Sequence, residues 1–368
     1  MTKKMSEGIP WFLPQLGDRE RENLIAVVDS NYINDGEWTR RLEAQISDYI
    51  GTRYCVAVTS GTTALTLALM GLGVGQGDEV IIPDLTYVAT ANAARLAGAT
   101  VKLVDIEPEH FTIDPDAVLS VISQRTRAVI AVDVNGRGCD YVRLERICAD
   151  HGLKLVCDSA EAFGSKLNDR FLGSYGDAAI YSFSPNKTVT AGQGGAVVTD
   201  DEDLYHRLRE LKDQGRREGG TGGDDLHPVI GFNFKLTNLH AAVALAQLDR
   251  MPDRLEHFLE RDAWYQQSLV GTPGLQFPPM SRSGEVRQWT DILCERRTEV
   301  IDALEQEKIG ARAFWLPIHR QQPYQASDDD FPNATEISSR GLWLASNFMI
   351  TRKQVEEVGA VIRQVLNG

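Results

Sequence analysis

Three short segments hold residues whose types and order suit chemistry on a carbonyl. In AAIYSFSPNKTVTAGQGGAVV, Lys187 follows an apolar run inside a loop rich in serine, proline and glycine. Partial burial beside positive charge lowers a lysine's pKa, and the neutral amine attacks a carbonyl to form a Schiff base. In LKLVCDSAEAFGS, Asp158 closes an apolar run and is followed by Ser159 and Glu161. A fixed carboxylate there suits a protonated pyridine nitrogen, whose charged form it favours; the alternative is a helix cap. In YCVAVTSGTTALTLAL, a strand pattern passes into a helix pattern through Ser60, Gly61 and Thr62. Unpaired main-chain N–H groups and hydroxyls converge at such a place and can hold an anion. Taken singly, the lysine is equally a surface lysine and the serine an ordinary cap. Gly192, Gly194 and Gly195 add a tight backbone beside the lysine.

The elements that must position these residues alternate along the chain. Short β-branched or apolar runs mark strands at 55–58, 79–82, 100–104, 128–132, 154–157, 178–183 and 195–199. Helical spacing marks 62–72, 90–97, 141–150, 201–214, 238–248 and 252–269, with Gly98, Gly138 and Gly152 punctuating the connections. This is the rhythm of βα units around a mostly parallel sheet, where sites form at the carboxyl ends of strands. The rhythm changes near Arg250, which predicts a large α/β domain over 1–250 and a smaller α+β domain over 251–368. Residues 215–228, containing GGTGGDD, read as a mobile loop.

Phosphate cradle, strand-end aspartate and loop lysine, in that order, complement one cofactor, pyridoxal 5'-phosphate (PLP). With these motifs the sequence resembles the DegT/DnrJ/EryC1/StrS sugar aminotransferases of the fold-type I superfamily, over essentially its whole length. The resemblance implies a seven-stranded, mostly parallel sheet with helices on both faces and a small C-terminal domain. It implies that Ser60, Gly61, Thr62 and Ser182 bind the cofactor phosphate, that Tyr87 stacks on the pyridine ring, and that Asp158 faces its nitrogen. Lys187 is then the Schiff-base and catalytic lysine, and Asn233 reaches the phosphate of a neighbouring subunit's site, making a homodimer with shared active sites. His319 and Tyr324, in WLPIHRQQPY, are implied near the nucleotide-sugar end, although a histidine and a tyrosine flanked by prolines also suit loop packing.

The implied activity transfers an amino group from L-glutamate to a nucleotide-linked keto-deoxysugar, a 4-keto-6-deoxyhexose, in amino-sugar biosynthesis. Alternatives are a C3 ketone, a keto-cyclitol, or a non-catalytic regulatory protein on the same fold. Lys187 argues against the family's sugar dehydratases, which carry histidine there. Glu161 stands where many members have glutamine, and its carboxyl beside the cofactor's phenolic oxygen needs a proton or a partner. Gln193 departs from a usual glutamate, and VNGRGCDY replaces a frequent histidine-containing loop, with Arg137 either meeting a substrate anion or exposed.

Composition excludes other classes. Lys plus Arg number 38 against 52 Asp plus Glu, a net charge of −14, with no basic run of the kind nucleic acid requires. No GxGxxG turn follows the first strand, which disfavours a dinucleotide, and the seven histidines show no metal-ligand spacing. No apolar run reaches membrane-span or signal-peptide length, and the five scattered cysteines suit a reducing compartment, so a cytoplasmic protein is expected.

Overall fold

The computed structural model describes residues 8–217, 225–279 and 284–368. Most of the GGTGGDD loop and the first seven residues lie outside them. Two helices open the described chain, α1 (Asp18–Asp29) and α2 (Glu37–Ile50). On α2, Leu42, Ile46 and Ile50 recur every fourth residue and are buried, and Gly51 ends the helix in the left-handed conformation. The βα units follow as β1 (Tyr54–Val58), α3 (Gly61–Gly71), β2 (Glu79–Pro83), α4 (Ala89–Leu96) and β3 (Thr100–Val104). Next come α5 (Pro115–Val121), β4 (Thr126–Val132), α6 (Tyr141–His151) and β5 (Lys154–Asp158). A hairpin, β6 (Lys166–Leu167) and β7 (Arg170–Phe171), precedes β8 (Ala178–Ser182), β9 (Gly195–Thr199), α7 (Glu202–Lys212) and α8 (Asn238–Leu248).

The large sheet has the order β1-β9-β8-β5-β4-β2-β3. Every pairing is parallel except the two made by β9, which runs against both β1 and β8. The central strands read as unbroken apolar runs because helices cover both faces; Ala128, Val129, Ile130 and Ala131 are all fully buried. α3 is apolar around most of its circumference for the same reason, with Ala64, Leu65, Leu67, Ala68 and Leu69 buried. Each expected strand is present, with ends within two residues of the sequence reading. Helices α1, α2 and α5 and the β6–β7 hairpin were not individually anticipated.

The long helix α9 (Met251–Leu269) leads into the remaining elements. These are β10 (Leu275–Gln276), β11 (Asp291–Cys294), α10 (Arg297–Gln306), β12 (Arg312–Ala313), α11 (Pro332–Arg340), β13 (Gly341–Trp343) and α12 (Arg352–Asn367). Their strands form a second, antiparallel sheet, β10-β11-β13-β12. One face packs on α9, α10 and α12 through residues such as Tyr265, Ile292, Leu304 and Ile362. The other presents Trp343 and joins Trp289, Phe314 and Trp315 to the core of the large sheet. All five cysteines are buried and none forms a disulfide. Among the described residues, no helix is long and apolar enough to cross a membrane.

Ile130 sits in the middle of β4, fully buried. Truncation there removes transfer free energy and leaves a cavity that the crowded sheet cannot close. Ile130→Ala is expected to cost about 3 kcal/mol, read as a lower urea midpoint with unchanged slope.

Candidate active site

At the carboxyl ends of β1, β5 and β8 the chain encloses a cavity of about 530 Å³. Ser60 stands between β1 and α3 in extended conformation, and its Oγ accepts the Thr63 N–H at 3.1 Å while Thr63 Oγ1 accepts the Ser60 N–H at 2.9 Å. The ordinary helix cap is therefore real, and it coexists with a place in the cavity wall beside Gly61 and Thr62. The N–H groups of the first helical turn have no partner within the helix and make that end of the cavity suited to an anion. Two glycines let the backbone close up here. A Cβ on Gly61 would lie 2.9 Å from Ser182 Cβ, and one on Gly195 would lie 2.5 Å from the Ser60 carbonyl oxygen. Ser182, the last residue of β8, is thereby held against the start of α3.

Asp158 ends β5 and is almost fully buried. Its Oδ2 accepts the Thr90 hydroxyl at 2.8 Å, and its Oδ1 accepts the Ala160 N–H at 3.3 Å. Burial pushes its pKa up to about 6 against the lowering effect of those hydrogen bonds and of Lys187. Behind it lies a second buried carboxylate that the sequence reading missed. Asp133, just beyond β4, accepts Ser159 Oγ at 2.6 Å and the Tyr141 hydroxyl at 2.7 Å. Its main-chain N–H also donates to the Asp158 carbonyl at 3.0 Å. Burial raises Asp133 to about 7, hydrogen bonds hold it back, and the Asp158 charge adds to the rise.

Lys187 follows a turn closed by its own N–H to the Ser184 carbonyl, 3.1 Å. Its side chain is 13% exposed, and Nζ lies 2.9 Å from Glu161 Oε1. The expected neighbouring positive charge is thus replaced by a negative one. Glu161 accepts from Asn135 N through its other oxygen at 3.2 Å, so both of its oxygens have partners. The Lys187 amine also stands 5.1 Å from the ring centroid of Trp289. Tyr87 is half exposed and lines the same cavity, as do Trp11, Trp315 and Arg312. Arg312 lies 5.3 Å from the Trp11 ring centroid, which itself is 5.3 Å from that of Trp289. Three of the chain's six tryptophans therefore wall the site. None was singled out from sequence, because nothing local distinguishes a cavity tryptophan from a core one.

One chain thus brings together Ser60, Gly61, Thr62, Tyr87, Asp158, Glu161, Ser182 and Lys187. Asn233 stays apart: it is exposed, pairs with Asp213 by a main-chain bridge, and does not line this cavity. His319 does not line it either. The imidazole is buried, with Nδ1 2.6 Å from Asp84 Oδ2 and Nε2 2.8 Å from Asp328 Oδ1, and its ring stacks on Phe331. Nδ1 ties the segment after β12 to Asp84 at the end of β2, and Nε2 pairs with Asp328 of its own segment, so both nitrogens are engaged in packing contacts. Tyr324 donates to Asn92 Oδ1 at 2.8 Å, outside the cavity wall. Arg137 follows neither expectation: it is 1% exposed and pairs with buried Asp291 at 2.7 and 2.9 Å.

Comparison with known proteins now decides the family. The sequence pattern of the DegT/DnrJ/EryC1/StrS aminotransferase family matches residues 14–363. The chain belongs to that family. It is a PLP-dependent aminotransferase. This DegT-family chain is 34% identical to the GDP-perosamine synthase of Caulobacter vibrioides, over 96% of its own length and 97% of that protein. It resembles DesI, solved with its TDP-sugar product, at 30% identity and a TM-score of 0.90, covering 98% of this chain and 94% of DesI. Spr1654 of Streptococcus pneumoniae in its PLP form is 25% identical with a TM-score of 0.92, covering 98% of this chain and 99% of that one. The DegT-family cavity fits that cofactor on its own evidence. A Cβ would fill the close approach between Gly61 and Ser182, a buried carboxylate stands at one wall, and an amine and an indole face stand at another.

Both buried aspartates have folded pKa values above the unfolded value, so the stability they confer is fully present below about pH 4 and is lost as pH rises through about 6 to 7. Without cofactor, wild-type protein is expected to lose stability over pH 4 to 7 at up to about 1.4 kcal/mol per pH unit from Asp133 alone. Asp133→Asn removes that component, and urea unfolding at several pH values should give a flatter profile for the variant.

Proposed function

We propose that this enzyme transfers the amino group of L-glutamate to the ketone of a nucleotide-linked 4-keto-6-deoxyhexose, yielding an amino sugar, and that it works as a homodimer. The observation that carries this reading is the convergence of Lys187, Asp158 and the Ser60–Thr62 turn on one cavity in a chain that aligns end to end with a GDP-perosamine synthase. Ser60, Gly61, Thr62 and Ser182 would hold the cofactor phosphate by hydroxyl and main-chain donors at the start of α3. Tyr87 would cover one ring face, and Asp158 would keep the pyridine nitrogen protonated. That role suits a carboxylate raised to about 6 by burial, because a bound cation restores its charge. Bound PLP supplies the electron sink that makes the donor's α-proton acidic.

Lys187 has two tasks. Its amine holds the cofactor at rest, and once freed its Nζ takes the proton from the donor's α-carbon as a general base. Glu161, 2.9 Å away, fixes where that nitrogen sits. The indole of Trp289, 5.1 Å from that nitrogen, shields it from water on one side. Asn233, exposed and outside its own chain's cavity, would reach the phosphate of the partner's site.

The decisive experiment incubates reconstituted enzyme with L-glutamate and GDP-, TDP- or UDP-linked keto-sugars and locates the new amine by NMR. An amine at C4 supports the proposal, an amine at C3 redirects it, and no product with any 4-keto-6-deoxyhexose sinks it. Lys187→Ala is expected to cut turnover by at least about 10³-fold, measured by 2-oxoglutarate release. Mixing Lys187→Ala and Asn233→Ala chains, each inactive or weak alone, should recover activity, because one site of each mixed dimer is intact. Absence of recovery in a mixed dimer confirmed by mass would remove Asn233 from the partner's site.

A further inference from the structure

The loop between β4 and α6 carries an asparagine that neither composition nor motif would mark. Asn135 is fully buried and has φ of 53°, a left-handed conformation that asparagine tolerates better than most residues. Its side chain grips the main chain of Trp289 at both groups: Trp289 N donates to Asn135 Oδ1 at 2.8 Å, and Asn135 Nδ2 donates to the Trp289 carbonyl at 2.7 Å. The same Nδ2 donates to Asp291 Oδ2 at 3.0 Å. Asp291 is in turn held by Arg137 and Arg287, which outweigh its burial and keep its carboxyl below the usual range. On its other side, the Asn135 main-chain N–H donates to Glu161 Oε2.

These contacts close a ring around the reactive amine. From Asn135 one arm runs through Trp289, whose ring centroid is 5.1 Å from Lys187 Nζ. The other runs through Glu161, whose Oε1 is 2.9 Å from the same atom. Trp289 is 154 residues away in sequence and belongs to the segment leading into the second sheet, so no local structure places it. We infer that Asn135 is a positioning residue for Lys187: it locks an aromatic wall from the segment leading into β11 and a carboxylate from the turn after β5 beside the amine. This rests on Lys187 being the cofactor-holding lysine of the proposed function. It adds a determinant outside the cavity wall, since Asn135 does not line the cavity. Arg137, Asp291 and Arg287 support the loop from the second-sheet side, while Asp158 and Glu161 are the carboxylates close to Lys187.

The test follows PLP capture by cofactor-free protein through visible absorbance, which uses neither donor nor keto-sugar. Asn135→Gly keeps the left-handed backbone without strain and deletes the whole side-chain grip. It is expected to fold, to capture PLP at least about tenfold more slowly than wild type, and to lower the first-order rate of the L-glutamate half-reaction by about 10- to 100-fold with little change in apparent glutamate affinity. Asn135→Asp keeps the acceptor for Trp289 N but loses both Nδ2 donations, and it is read the same way if the glycine variant does not fold. A folded variant with a lowered melting temperature but wild-type capture and half-reaction rates would overturn the inference, leaving Asn135 a purely structural clasp. If wild-type protein captures PLP yet ignores L-glutamate, the donor assignment fails while the capture comparison still decides the role of Asn135.

Discussion

An amine buried against a carboxylate persists only where its surroundings replace the water both ions have lost. The Lys187–Glu161 pair meets that requirement by sharing: Glu161 gives its second oxygen to a main-chain N–H, and the amine has an indole face as its other neighbour. Much of the site's architecture is the supply of those partners. The parallel strands bring Asp158 and Ser182 to one edge, and antiparallel β9 brings Gly195 against Ser60. The second sheet contributes Arg312 from β12, and the segment leading into β11 contributes Trp289.

Polar contacts, more than apolar burial, set how the two sheets meet. Arg137 and Arg287 converge on Asp291, His319 bridges Asp84 and Asp328, and Asp105 accepts the Asn333 and Ala334 N–H groups at the start of α11. Apolar surfaces alone would tolerate sliding, because dispersion and hydrophobic burial are not directional. Buried ionic hydrogen bonds do not, since a small displacement leaves a charge without its partner. The site lies across this junction, and its precision derives from it.

The placements of His319 and Arg137 follow from the same physics. The sequence left His319 between the nucleotide-sugar end and loop packing, and Arg137 between a substrate anion and exposure. Each instead meets a carboxylate from a distant part of the chain and is buried with it. Glu161 departs from the family's frequent glutamine, and the paired amine of Lys187 and the N–H of Asn135 satisfy it.

What the sequence determined by itself was whatever is local: the strands to within two residues, the Ser60 cap, the placing of Asp158 and Lys187 just after apolar runs, and through these the cofactor and the family. Alternating apolar runs, caps and glycines act over a handful of residues, so their signal survives in one dimension. Tertiary structure alone decided that Trp11, Trp289 and Trp315 form one wall, that Asp133 backs Asp158, and that Asn135 joins Trp289 to Glu161. The partners Asn135 and Trp289 are 154 residues apart. Hydrophobic periodicity says which face of an element is buried but not against what, and only the folded chain brings such residues within hydrogen-bonding distance.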